Sequence, residues 1–295
     1  MKFLSLNRVA IVLIATLALL SCQKEDSSAN DVSNNTVSEE ETAVYADESA
    51  QIVASFDDVE DIGMIAADEE GAVSAEGGRS FPFTELRLRL GICARITVTP
   101  DDGSYPKTIT IDFGDGCICA DGKFRKGVII LHLTGPLRRS GSVVTITLRD
   151  FYLNRAHVEG TKIITNLSEN GNINFTVQVV GGKVTWPNGR GYSYNCLKHV
   201  KQTAGGATRV VWDDVFAIGG RYKIEFNNGV TIALNTESPL VKKVLCPWIS
   251  DGLLKIKIND RTLFLAYGAP DNGACDNKAL LTWNNGNNHR LITLP

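Results

Sequence analysis

Ile173-Asn174-Phe175-Thr176-Val177-Gln178-Val179 alternates apolar and polar residues without a break. Successive side chains of an extended strand point to opposite faces, so this stretch sends Ile173, Phe175, Val177 and Val179 into a core and leaves the other face to water. The same period runs through Val144, Ile146 and Leu148 against Thr145, Thr147 and Arg149, and through Tyr222, Ile224 and Phe226 against Arg221, Lys223 and Glu225. Between such runs stand Asp121-Gly122, Asn170-Gly171, Gly181-Gly182, Asn188-Gly189, Asn228-Gly229 and Asn285-Gly286. These pairs adopt positive φ at little cost and mark tight hairpins rather than long crossovers. No amphipathic helix of about ten residues or more is read after Ser80. The fold class is therefore all-β, an antiparallel meander of about fifteen short hairpin-linked strands. It would form a sandwich, an open barrel or one long curved sheet.

The other end of the chain has a different character. Lys2 and Arg8 precede the apolar run Val9 to Leu20, which closes on Leu19-Leu20-Ser21-Cys22. That run is shorter than the roughly 20 apolar residues a membrane span requires. A basic start, a short apolar middle and a small residue before the cut describe a signal peptide, residues 1–21. With Cys22 at the new amino terminus, the pattern resembles the lipobox of bacterial lipoproteins, which implies acylation of Cys22 and attachment to a lipid bilayer. Two or more acyl chains hold stably where one does not. Lys24-Glu25-Asp26 resembles the surface-export signal of Bacteroidetes lipoproteins, which implies the outer face of the outer membrane.

Charge divides the remainder. No basic residue occurs between Lys24 and Arg79, while acids recur at Glu39-Glu40-Glu41, Asp57-Asp58, Glu60-Asp61 and Asp68-Glu69-Glu70. Residues 22–80 are accordingly read as an acidic, largely disordered tether. Val44, Ile52, Val53, Phe56, Val59 and Ile62 fall near helical spacing within it and could give a short amphipathic helix, read as transient in a linker in preference to a docking element. Residues 81–295 form the all-β domain, whose Lys and Arg are scattered along strands as on solvated faces, so no nucleic-acid partner is expected.

Seven cysteines in an exported chain divide into Cys22 and six others, an even set in an oxidising compartment. The preferred pairs are Cys93 with Cys117 and Cys246 with Cys275, which leaves Cys119 and Cys196 for a third. Zinc is disfavoured, because the one-residue gap of Cys117-Ile118-Cys119 is shorter than structural zinc sites use.

Motifs for chemistry are sparse. His132, His157, His199 and His289 have no metal-binding spacing, and neither a nucleophile elbow nor a P-loop occurs. No catalytic residue, metal or cofactor is assigned. Asp112-Phe113-Gly114-Asp115-Gly116 looks like the signature of PKD domains, and Asp112, Asp115 and Asp121 carry oxygen ligands of the kind calcium takes, but an Asp- and Gly-rich turn needs no metal. Glu159, Asp213, Asp214 and Glu225 are the acids from which a hydrolase would draw a carboxylate pair. Trp186, Trp212, Trp248 and Trp283, with Tyr192 and Tyr194, are the rings with which a glycan-binding face would stack on sugars, and Trp186, Tyr192 and Tyr194 are the preferred set.

Tyr105-Pro106-Lys107-Thr108-Ile109-Thr110-Ile111-Asp112-Phe113-Gly114, Gly127 after Arg125-Lys126, Gly160-Thr161, Trp212-Asp213-Asp214-Val215, Cys246-Pro247-Trp248 and Cys275-Asp276-Asn277-Lys278-Ala279 together resemble a family of uncharacterised Bacteroidetes lipoproteins. The resemblance implies a secreted all-β lipoprotein and supplies no catalytic residues. The expectation is a surface-anchored, non-catalytic binding or structural module of the envelope, engaging a cell-surface glycan or an outer-membrane protein. The alternative is a secreted hydrolase of polysaccharide or peptide.

Overall fold

A computed structural model describes residues 39–75, 83–169, 173–206, 213–259, 261–269 and 271–294. The signal peptide, Cys22 and Lys24-Glu25-Asp26 lie outside the described residues. Two helices lead, α1 (Glu39–Ala75) and α2 (Thr84–Leu90). The strands follow as β1 (Arg95–Thr99), β2 (Lys107–Asp112), β3 (Cys117–Ile118), β4 (Phe124–Leu133), β5 (Val143–Leu153), β6 (Ala156–Asn166) and β7 (Asn174–Thr185). The second half continues with β8 (Gly191–Ala204), β9 (Val215–Phe226), β10 (Thr231–Lys243), β11 (Ile249–Ile258), β12 (Arg261–Tyr267), β13 (Lys278–Trp283) and β14 (Asn288–Thr293).

All fourteen strands belong to one antiparallel sheet in chain order, with the two-residue β3 set aside onto β4. The sheet does not close into a barrel, so of the three architectures open to the sequence the chain adopts the single curved sheet. Alternation is carried through at Phe175, Val177 and Val179, at Val144 and Ile146, and at Tyr222, Ile224 and Phe226, all buried, whereas Ile173 and Leu148 are only half-buried.

The sheet curls around α1. Asp58 of α1 binds Arg125 of β4, while its neighbour Asp57 lies in a cleft lined by Leu265 and Tyr267 of β12. Eight strand spacings separate β4 from β12 along the sheet, about 38 Å if it were flat. Both can reach the same turn of helix only because the accumulated strand twist bends the sheet into a trough.

Residues 39–75 thus correct the reading of this segment as an unstructured tether. Ile52, Phe56, Val59, Ile62 and Ala66 recur at three- and four-residue intervals, and each is at most 2% exposed. They make one apolar stripe on a helix about 55 Å long. Phe56 stacks on Tyr194 with ring centroids 4.4 Å apart, and Tyr45 meets Phe226 edge-on at 4.8 Å. Gly182 makes room for this contact, since a Cβ there would lie 2.4 Å from the Tyr194 carbonyl oxygen and 3.0 Å from Phe56.

The acids are neutralised by the trough rather than solvated. Glu70 binds Lys107 of β2 at 2.5 Å, and Asp58 binds Arg125 of β4 at 2.7 Å. Glu60 binds Lys162 of β6 and Lys198 of β8 at 2.8 and 2.6 Å. Further out, Asp68 pairs with Arg138 and Glu48 with Arg190. Lys107, Arg125, Lys162 and Lys198 are all buried, facing inward with the apolar core. An unpaired charge at such positions would be very costly. Helix and sheet therefore specify each other's position.

Cys93–Cys117 and Cys246–Cys275 are bonded as expected. The third pair is not formed, and Cys119 and Cys196 are free and buried. Cys119 sits in the β3–β4 turn beside Arg125, whereas Cys196 faces the core in the middle of β8. Four strand spacings, about 19 Å along the sheet, separate β4 from β8, beyond the roughly 7 Å Cα separation that a disulfide tolerates.

Candidate functional site

The curled sheet leaves a gap along one flank of α1, and that gap is a cleft of about 610 Å³. Its size falls within the roughly 300 to 1,000 Å³ usual for small-molecule sites. The floor is apolar, built from Ile218 of β9, Leu234 and Leu240 of β10, Leu254 and Ile256 of β11 and Leu265 of β12. These are the inward positions of alternating strands, left facing the cavity where α1 does not reach. Tyr222, Tyr267 and Trp248 add aromatic surface, and burial holds both tyrosine phenols above their ordinary range. Ala46, Ala50, Val53 and Ala54 form the helix wall, small residues that keep the cavity open.

The mouth is charged. From α1 come Asp57, Asp58, Glu60 and Asp61; from α2 and the β3–β4 turn come Arg89, Asp121 and Lys123; from β8 and β10 come Lys198 and Lys242. Every one of these carboxylates has a cation of the protein beside it. Asp57 is 2.7 Å from Lys198, Asp61 is 3.2 Å from Arg89, and Asp121 is 2.6 Å from Arg125. Asp58 collects Arg89, Lys123 and Arg125 within 3.2 Å. Burial alone would raise its carboxyl, yet the hydrogen bonds and charge of Arg125, with Lys123 and Arg89 beyond, hold it down at about 2. Glu60 is likewise brought to about 2, where Lys162 and Lys198 outweigh the effect of burial.

Lys242 differs from the other cations. Its Nζ donates to the Pro247 carbonyl at 2.5 Å, and among the described residues no carboxylate lies within 4.0 Å of it. Burial draws this ammonium below its ordinary value, with Arg89 and Lys123 adding to the effect and Asp61 and Asp57 opposing it.

Of the residues singled out from sequence for chemistry, Asp121 and Trp248 line the cleft and the other described ones lie elsewhere. Tyr192 and Tyr194 are inward positions of β8, 2% and 0% exposed beneath α1, so they serve the core and cannot stack on a sugar. Trp186 is half-buried at the β7–β8 turn, and Trp212 lies outside the described residues. The expected aromatic glycan face is therefore not assembled. Glu159 and Glu225 stand in one row across the sheet, linked through the pairs Glu159–Lys183, Lys183–Ser193 and Ser193–Glu225. Three strand spacings, about 14 Å, divide them, more than the roughly 5 to 9.5 Å of a glycosidase pair. Asp213 and Asp214 precede β9 at the end opposite Glu225, and Asp214 accepts a hydrogen bond from Gln202 at 2.7 Å. Glu159 and Glu225 thus lie apart from each other and from the chain neighbours Asp213 and Asp214.

At the PKD-like turn, Asp112 accepts the Gly114 backbone N–H at 2.9 Å, and Asp121 is engaged by Arg125 and Arg89. Among the described residues no group of three or more His, Cys, Asp and Glu side chains could hold a metal ion, and no helix is long and apolar enough to cross a membrane.

The cleft was the part the sequence concealed. Its one advance sign was charge in phase with the core: Lys107 with Ile109 and Ile111, Lys162 with Ile164, and Lys198 with Tyr194 and Cys196. Basic residues at inward positions required an acidic partner from outside the sheet, and only residues 39–70 are acidic enough. No family model, curated protein or solved structure matches the chain.

Proposed function

We propose that the chain is a lipid-anchored envelope protein of the outer membrane, exposed at the cell exterior, and that it works as a non-catalytic binding module through the cleft between α1 and β9–β12. The observation that carries the binding role is the cleft itself, a cavity of about 610 Å³ with an apolar floor and a charged mouth. Convergent polar groups around an apolar cavity are the usual makings of a ligand site. The anchor reading rests on Leu19-Leu20-Ser21-Cys22, and the outward orientation on Lys24-Glu25-Asp26. Separation of Glu159 and Glu225 from each other and from Asp213 and Asp214 favours binding over hydrolysis.

Titration with the neutral apolar fluorophore N-phenyl-1-naphthylamine tests the cleft. One saturable site is expected, and Ala54→Phe on the helix wall should abolish it while the fold is retained. Binding that survives Ala54→Phe would place the site elsewhere. Protease shaving of intact cells tests the orientation: cleavage of the domain is expected, and full protection would overturn the exterior placement.

A further inference from the structure

Five carboxylates and four cations line the cleft, and with Arg125 and Lys162, which pair with Asp58, Asp121 and Glu60, the cations number six, so that one is left over and describes the ligand. Asp57, Asp58, Glu60, Asp61 and Asp121 each have a Lys or Arg nitrogen within 3.2 Å. Lys242 alone among the lining cations has no carboxylate within 4.0 Å among the described residues, and the neutral carbonyl of Pro247 is its hydrogen-bond acceptor. An ammonium keeps two further N–H groups when one is used. Lys242 is half-buried, and its ammonium, at the rim of an apolar cavity with no counter-ion beside it, can donate a charge-assisted hydrogen bond to an anion arriving from solvent.

Leu240, two residues before Lys242, lines the same cavity from the same strand, and Leu234, Leu254 and Leu265 continue the floor. A molecule reaching Lys242 with one charged end thus lays its remainder on apolar surface. Asp57 and Asp61 of α1 and the cations Arg89 and Lys123 all lie within electrostatic reach of Lys242. The two acids are already satisfied by Lys198 and Arg89. They offer a cationic head less than Lys242 offers an anionic one.

We propose that the cleft binds an anionic single-chain amphiphile, its acyl or alkyl chain on the floor formed by Leu234, Leu254 and Leu265 and its anionic head against Lys242. This rests on the reading of the cleft as a ligand site. The test uses the full chain carrying Cys22→Ala, which cannot be acylated there. Dodecanoate, dodecanol and dodecyltrimethylammonium, equal in chain length, compete with bound N-phenyl-1-naphthylamine.

Dodecanoate should bind about tenfold or more tightly than dodecanol, the range of a charge-assisted hydrogen bond, and the trimethylammonium compound should bind more weakly than either. In Lys242→Gln, dodecanoate should fall to the affinity of dodecanol, and Lys242→Arg should keep the preference. Equal binding of all three, a preference for the cation, or a carboxylate preference that persists in Lys242→Gln would overturn the anionic ligand while leaving the cleft as the site. If neither the fluorophore nor any of the three binds, the reading of the cleft as a ligand site itself fails.

Discussion

Asp58 and Arg125 meet inside the trough with neither side chain exposed, Arg125 Nη2 2.7 Å from Oδ1 and Nε 3.0 Å from Oδ2. The contact joins α1 to β4 across 67 residues of chain. Removing one partner of a buried pair costs about 3 to 5 kcal/mol where the charge left behind has no other partner, and because Arg125 keeps Asp121 at 2.6 Å the loss here falls at or below the low end of that range. Asp58→Ala should lower the stability of the folded chain by that amount in urea unfolding. Adding Arg125→Met should recover much of the loss. If Asp58→Ala is silent, α1 is not held as described.

Acid should release the helix. The Asp58 carboxyl sits at about 2 in the folded chain against an ordinary 3.8, and Glu60 at about 2 against 4.5. Both folded values lie below the unfolded ones, so their contribution is complete above the unfolded values and is lost as pH falls toward 2. For Asp58 alone this amounts to about 2 kcal/mol. Asp61 and Asp214, pushed up by burial, favour the folded chain on the acid side and offset part of the loss. Unfolding free energy measured between pH 6 and pH 3 should decline. Asp58→Asn combined with Glu60→Gln should flatten that decline.

Thiol chemistry separates the cysteines. Burial pushes the thiols of Cys119 and Cys196 up, and neither is accessible. The native, unreduced chain should leave both unmodified by a maleimide. Unfolding without reductant should release two reactive thiols where Cys22 is acylated, and three where it is not. Four or more would mean that Cys93–Cys117 or Cys246–Cys275 is not formed in the protein.

Close packing of α1 predicts a small-to-large penalty. At Gly182 the nearest obstacle to a Cβ is backbone, the Tyr194 carbonyl oxygen at 2.4 Å, which cannot swing aside. Gly182→Ala should cost about 1 to 3 kcal/mol, the range of overpacked cores. At Gly63 the obstacle is Ile146 Cδ1 at 2.3 Å, the far end of a flexible side chain. Gly63→Ala should therefore be milder, and thermal melts of the two variants check the order.

Much of the sheet could be read from the chain, because the alternation at Phe175, Val177 and Val179 and the Asn-Gly turns act locally. The disulfides Cys93–Cys117 and Cys246–Cys275 were also legible, read as pairs across neighbouring strands. The role of residues 39–75 was not. Their acids lowered mean hydropathy to that of a solvated tether, and the Lys and Arg that neutralise them lie from 28 to 142 residues away. Tyr192 and Tyr194 misled for a related reason: the strand pattern buries them, but what covers them is α1. The cleft depends on how far the sheet curls, which no local pattern encodes.

Hydrogen exchange with and without saturating dodecanoate bears most directly on the account. Binding in the cleft should slow exchange in the α1 segment from Ala50 to Asp61 and in the facing strands around Ile218, Leu234 and Leu254. The far side of the sheet, β1 to β5, should be unchanged. Protection confined to β1 to β5 or to the outer face around Trp186, with none at α1 and β9 to β11, would contradict it.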